Sequence, residues 1–83
     1  MQRVIEGGGL KITVKLFATL REGRFEAAAR GFKKGATVDS VRRSLGISKK
    51  EAAIVLVNGI HAEGGRKLRE GDVLAIFPPS GGG

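Results

Sequence analysis

Eighty-three residues, 41% of them hydrophobic and 28% charged, suffice for one small globular domain and lie outside the composition of disordered chains. With no Cys and a single His, the chain cannot build a disulfide framework, a thiol nucleophile or a cysteine- or histidine-rich metal site of its own. Fifteen Lys and Arg against eight Asp and Glu leave a formal charge of +7, which favours acidic partners but selects none, because the basic residues are scattered as pairs such as Lys33-Lys34 and Arg66-Lys67.

The first nine residues, MQRVIEGGG, read as a flexible leader that breaks at Gly7, Gly8 and Gly9. They lack the apolar core of a signal peptide, and no apolar run approaches the roughly 20 residues that span a bilayer. A cytoplasmic location and no membrane partner are therefore expected. From Leu10, the alternation of Leu10, Ile12, Val14 and Leu16 with Lys11, Thr13 and Lys15 predicts a strand with one buried face. Residues 18–23, ATLREG, follow as a loop or a single helical turn. Residues 25–32, FEAAARGF, favour helix by propensity, yet the run is short and Gly31 interrupts it. A second strand, paired as a hairpin with the first, fits the loop length better.

The main helix is predicted within residues 33–48, KKGATVDSVRRSLGIS. Thr37 is a suitable N-cap, Asp39 lies in the first turn where the helix dipole favours an anion, and Gly46 can end the helix. Val38, Val41 and Leu45 make one apolar stripe. Ser48 and Glu51 have the spacing of a capping box and suggest a further short turn. Residues 53–59, AIVLVNG, read as a buried strand ending in Asn58-Gly59, a strong hairpin signal, and IHAEGG returns as a brief edge strand. LREGD, 68–72, is a turn, and VLAIFP, 73–78, is a continuous apolar strand of the kind that occupies the middle of a sheet. The order β-β-α-β-β-β predicts an α+β domain, a mixed sheet of four to five strands on one main helix, with the first and last strands as parallel neighbours. The domain is expected over 10–77 and an extended, flexible tail over 78–83.

No plausible active site lies within the chain. His61, just after the Asn-Gly turn, reads as a surface hairpin residue, and the glutamates as solvated positions. Gly7 to Gly9 precede a strand, not a helix, and so do not form a phosphate loop. Four Phe and no Tyr or Trp make poor stacking platforms for single-stranded nucleic acid, so nucleic acid is not expected as a partner, and two or more of the Phe are expected in the core. The tail, Phe-Pro-Pro-Ser-Gly-Gly-Gly, is different. Pro78 and Pro79 stiffen the exit from the last strand, and Ser80 to Gly83 reach at most about 13–14 Å. Gly81, Gly82 and Gly83 carry no side chains, so the segment can enter a narrow channel, and the only reactive group at its tip is the Gly83 carboxylate.

The stretch VLVNGIHAEGGRKLREGDVLAIFPPSGGG closely resembles the C-terminal half of the small ubiquitin-related sulfur carriers, the MoaD/ThiS group, and most of all the molybdopterin synthase small subunits. The resemblance rests on Val57-Asn58-Gly59, the Leu68 to Asp72 turn, the apolar strand Val73 to Phe77 and the Phe-Pro-Pro-x-x-Gly-Gly ending. VKLFATLREG, 14–23, agrees with that branch's first strand and turn, and the likeness covers roughly residues 10–83. It implies a β-grasp fold and a carrier that is not itself an enzyme. The Gly83 carboxylate would be adenylated by an E1-like adenylyltransferase, with ATP used by that partner and no cofactor or metal bound by the carrier. A persulfide donor would then convert it to a thiocarboxylate. Gly82, Gly81, Ser80, Pro79 and Pro78 would form the stem inserted into a large synthase subunit, and Phe77 and Phe17 would dock partners. A carrier for thiazole or another thiolation pathway, a ubiquitin-like protein modifier and, more remotely, a basic nucleic-acid-binding β-grasp module stay open.

Overall fold

The computed structural model describes residues 9–79. Strand β1 (Gly9–Leu16) leads through a 3-10 turn (Ala18–Arg21) to β2 (Ala27–Lys33), and α1 (Val38–Ser44) follows. Strands β3 (Ile54–Val57), β4 (Ile60–His61) and β5 (Val73–Phe77) complete a five-stranded sheet in the order β2-β1-β5-β3-β4. β1 and β5 are parallel and the other pairs antiparallel, so the described residues form the mixed sheet and single α-helix of the α+β, β-grasp arrangement expected from the sequence. Gly9, assigned above to the leader, is the first residue of β1 and pairs with Lys33. No helix among the described residues is long and apolar enough to cross a membrane.

The ambiguous run 25–32 is a strand from Ala27 onward. Its alanines favour helix only weakly, and seven pairings with β1 outweigh that preference. The alternation of β1 places Leu10, Ile12, Val14 and Leu16 in the core, where they meet Leu74 and Ile76 of β5, Val57 of β3 and Val38 and Val41 of α1.

Helix α1 is only seven residues long and depends on its ends. Thr37 Oγ1 accepts from Ser40 N–H and Ser40 Oγ accepts from Thr37 N–H, a reciprocal cap. The loop after β4 satisfies two more first-turn donors, since Val38 N–H donates to Arg66 O and Asp39 N–H to Gly64 O. At the other end Gly46 takes φ +73°, Gly46 N–H donates to Arg43 O and Ile47 N–H to Arg42 O, the pair of bonds that defines a Schellman stop. That turn carries Ile47, not Leu45, into the core: Ile47 is buried and Leu45 half-buried. Ser48 and Glu51 make the expected reciprocal bonds, and the Ser48 N–H and hydroxyl hold the Glu51 carboxylate below its ordinary pKa.

Two expectations need correction. β3 is not a buried strand: only Val57 is buried, and Ile54 is 44% exposed, because one face of the sheet has no helix over it. None of Phe17, Phe25, Phe32 and Phe77 is fully buried; Phe25 and Phe32 pack against the core's margin.

Candidate functional site: the root of the tail

Side chains alternate across a strand, so the residues between the buried ones form the sheet's other face. In register across it stand Lys15 of β1, Ala75 of β5 and Leu56 of β3, and one step further Phe77 beside Ile54. Phe17 follows Leu16, whose partner is Ile76, and so comes to lie next to Phe77. The two rings stack with centroids 4.2 Å apart and planes 10° from parallel, and Phe17 N–H donates to Ile76 O at 3.3 Å. Such a pair contributes about 0.5–1.5 kcal/mol beyond its burial.

A third layer covers the stack. The Arg21 guanidinium lies 5.5 Å from the Phe17 ring centroid, with Nε donating to Leu16 O at 2.8 Å and Nη1 3.4 Å from Glu26 Oε2. The 3-10 turn makes this possible by folding Arg21 back over the end of β1. Its first residue, Ala18, has φ +53°, a left-handed conformation that costs a residue with a Cβ roughly 1–2 kcal/mol.

β5 is the central strand, and a second device holds its other end. Asn58 and Gly59 both have positive φ, +53° and +83°, as a two-residue type I′ hairpin turn requires. The Asn58 side chain then reaches β5: its Oδ1 accepts from Val73 N–H at 2.9 Å and its amide donates to Asp72 Oδ1 at 2.9 Å. Asp72 Oδ2 accepts from Arg69 N–H at 2.8 Å. The Arg69 N–H, then the Asn58 amide and the guanidiniums of Arg66 and Arg69, hold the Asp72 carboxyl below its ordinary pKa despite its burial.

The sequence-predicted site is thus joined in part. Phe17 and Phe77 stand together, half-buried Pro78 and exposed Pro79 continue from β5, and Ser80, Gly81, Gly82 and Gly83 lie outside the described residues. His61 is exposed, and no group of three potential metal ligands gathers among the described residues. Arg21 and Ile54 flank the stack and were not singled out from the sequence. Arg21 offers no signal there beyond its place in a turn, whereas Ile54 is masked by the apolar run of β3. Asn58 and Asp72 were legible as turn residues, but not as partners 14 positions apart.

No curated protein matches the chain at significance. Among solved structures, the HVO 2177 protein of Haloferax volcanii is 28% identical, with TM-score 0.79 over 99% of this chain and 94% of that one. Small archaeal modifier protein 1 of H. volcanii is also 28% identical, with TM-score 0.72 over 86% and 99%. A complex of subunits 1 and 2 of molybdopterin-converting factor from Helicobacter pylori matches at 22% identity and TM-score 0.59 over 89% and 100%, a likeness of fold alone. The family model described as the ThiS family matches residues 14–83, from the middle of β1 through the glycine tail, and this chain belongs to the ThiS family.

Proposed function

We propose that this protein is a sulfur carrier that works through the carboxylate of Gly83 and serves the assembly of a molybdenum- or tungsten-pterin cofactor. The observation that carries the reading is the construction of the tail's root. The central strand ends at Phe77, stacked on Phe17 of its parallel neighbour, and passes directly into Pro78-Pro79. A short arm on a rigid root presents its tip at a defined distance, and an arm ending in three glycines is as narrow as a polypeptide can be.

A carboxylate resists nucleophilic attack until it carries a leaving group. The Gly83 carboxylate oxygen attacks the α-phosphorus of ATP on an E1-like adenylyltransferase, expelling pyrophosphate and leaving a glycyl-adenylate. The terminal sulfur of a persulfide then attacks the carbonyl and expels AMP. Cleavage of the remaining S–S bond by a thiol leaves the thiocarboxylate and a disulfide. The thiocarboxylate sulfur is a soft nucleophile, which the arm carries into a large synthase subunit. The root's apolar surface around Phe17, Phe77 and Ile54 is the docking face for these partners.

Similarity to a small archaeal modifier protein favours a second reading, in which the adenylated Gly83 is passed to lysine amines of other proteins. Reconstitution with ATP, an adenylyltransferase of the E1 type and a persulfide source separates the two. The full chain gains sulfur in place of one oxygen on its Gly83 peptide, and a chain lacking Gly82 and Gly83 gains none while keeping its fold. Sulfur on the truncated chain, or lysine adducts with no thiocarboxylate, rejects the carrier reading.

A further inference from the structure

The two edges of the sheet are unequal. β4 is two residues long, too short to template another strand, whereas β2 runs for seven. Leu16 N–H donates to Glu26 O at 2.9 Å, and in an antiparallel ladder every second pair exchanges hydrogen bonds. The exchanging pairs of β2 are therefore Ala28 with Val14, Arg30 with Ile12 and Phe32 with Leu10. The N–H and C=O groups of Ala27, Ala29 and Gly31, and the N–H of Lys33, point away from the sheet, while Lys33 O accepts from Ala36 N–H at 3.0 Å. Among the described residues no backbone bond from another segment reaches Ala27, Ala29 or Gly31.

Exposed edges are commonly blunted by proline, bulges or charge. β2 has no proline, pairs with β1 in unbroken one-to-one register, and has only Ala, Ala and Gly at the outward-bonding positions before Lys33. Its protection is positive charge: Arg30 and Lys33 are exposed on the strand and Lys34 follows it. That charge opposes self-pairing, because joining two copies along β2 brings two like-charged edges together. It also favours a partner carrying carboxylates. Beside the C-terminal end of the edge, a shallow groove of about 350 Å³ opens between β2 and the start of α1, lined by Phe32, Lys33, Lys34, Ala36, Thr37 and Ser40. Its lining combines the apolar Phe32 and Ala36 with the cationic Lys33 and Lys34.

We propose that the β2 edge and this groove form a strand-addition site for an extended, acidic segment of another protein. The segment would pair its backbone with Ala27, Ala29, Gly31 and Lys33, seat an apolar side chain against Phe32 and Ala36, and place carboxylates near Arg30, Lys33 and Lys34. Neither the tail nor the Phe17–Phe77 stack takes part, so the site stands apart from the sulfur-carrier reading.

The test is a hydrogen-exchange and chemical-shift titration of the isotope-labelled full chain. The probe is a synthetic peptide with a Val-Thr-Val-Thr-Val centre flanked by Glu and Asp. The amides of Ala27, Ala29, Gly31 and Lys33 exchange rapidly in the free protein and become protected when it binds. The Lys-flanked version of the peptide binds at least about tenfold more weakly, as does the acidic peptide to K33E, and affinity falls with salt. Ala29→Pro removes an outward donor without touching the β1 ladder and abolishes protection at the edge. Should that variant misfold, the acidic peptide N-methylated through its centre makes the same test on the wild-type chain, and it fails to bind. Equal binding of the acidic and Lys-flanked peptides, unimpaired binding of the N-methylated one, or protection confined to other strands would overturn the proposal.

Discussion

Burying a carboxylate is costly unless its oxygens find donors, and Asp72 meets that condition with both oxygens bonded, one to the Asn58 amide and one to Arg69 N–H. Removing one partner of such a buried arrangement costs about 1–3 kcal/mol. The lowered pKa also fixes a sign. Asp72 stabilises the fold in full above the ordinary carboxylate value of about 3.9, and this contribution is lost as pH falls through the lower, folded-state value. Asp72→Asn should therefore be less stable than wild type at pH 7, and the gap should narrow in acid below about pH 4. Urea denaturation at pH 7 and at pH 3 checks this; a gap that stays constant or widens in acid would show that the Asp72 charge does not stabilise the fold.

At the scale of elements, several features could be read in the chain and others could not, for physical reasons. β1 announces itself because one face is buried and the other wet, so the alternation survives in the sequence. α1 announces itself through Thr37, Asp39 and Gly46, residues that act locally on the helix ends. β3 is legible as a strand from its apolar run and Asn58-Gly59, but its exposure is not, since its open face carries Ile54 and Leu56 and an apolar residue at every position erases the period. β2 was equivocal because alanine has a weak preference that a neighbouring strand overrides. Long-range partners were invisible, including the contact of Gly64 with α1. A Cβ at Gly64 would collide with the Asp39 carboxylate, which is held by Arg42 Nε at 3.1 Å. Gly64→Ala should cost about 1–3 kcal/mol, as overpacking does. In an Asp39→Ala background the same substitution should cost markedly less; equal costs in the two backgrounds would place the strain elsewhere.

The molecule as a whole divides its labour by face. The core lies between the helix and one side of the sheet, and the other side carries the Phe17–Phe77 stack from which the tail departs. The family and the β-grasp arrangement were legible because the tail, the Asn-Gly hairpin and the Gly-Asp turn keep fixed spacings along the chain. The site was legible only at its ends: Phe77 and the glycines stand in the sequence, but the stack with Phe17, the covering Arg21 and the Asn58–Asp72 link exist only through strand pairing. The charge of +7 finds a place in part along β2, away from that stack. The proposed function places the chemistry at the carboxylate of Gly83. Its most direct test is the intact mass of the protein purified from its own host, followed by fragmentation of the C-terminal peptide. A population in which one oxygen is replaced by sulfur, confined to Gly83, is the predicted result. Protein wholly unmodified at Gly83 in cells that are making the pterin cofactor would contradict it.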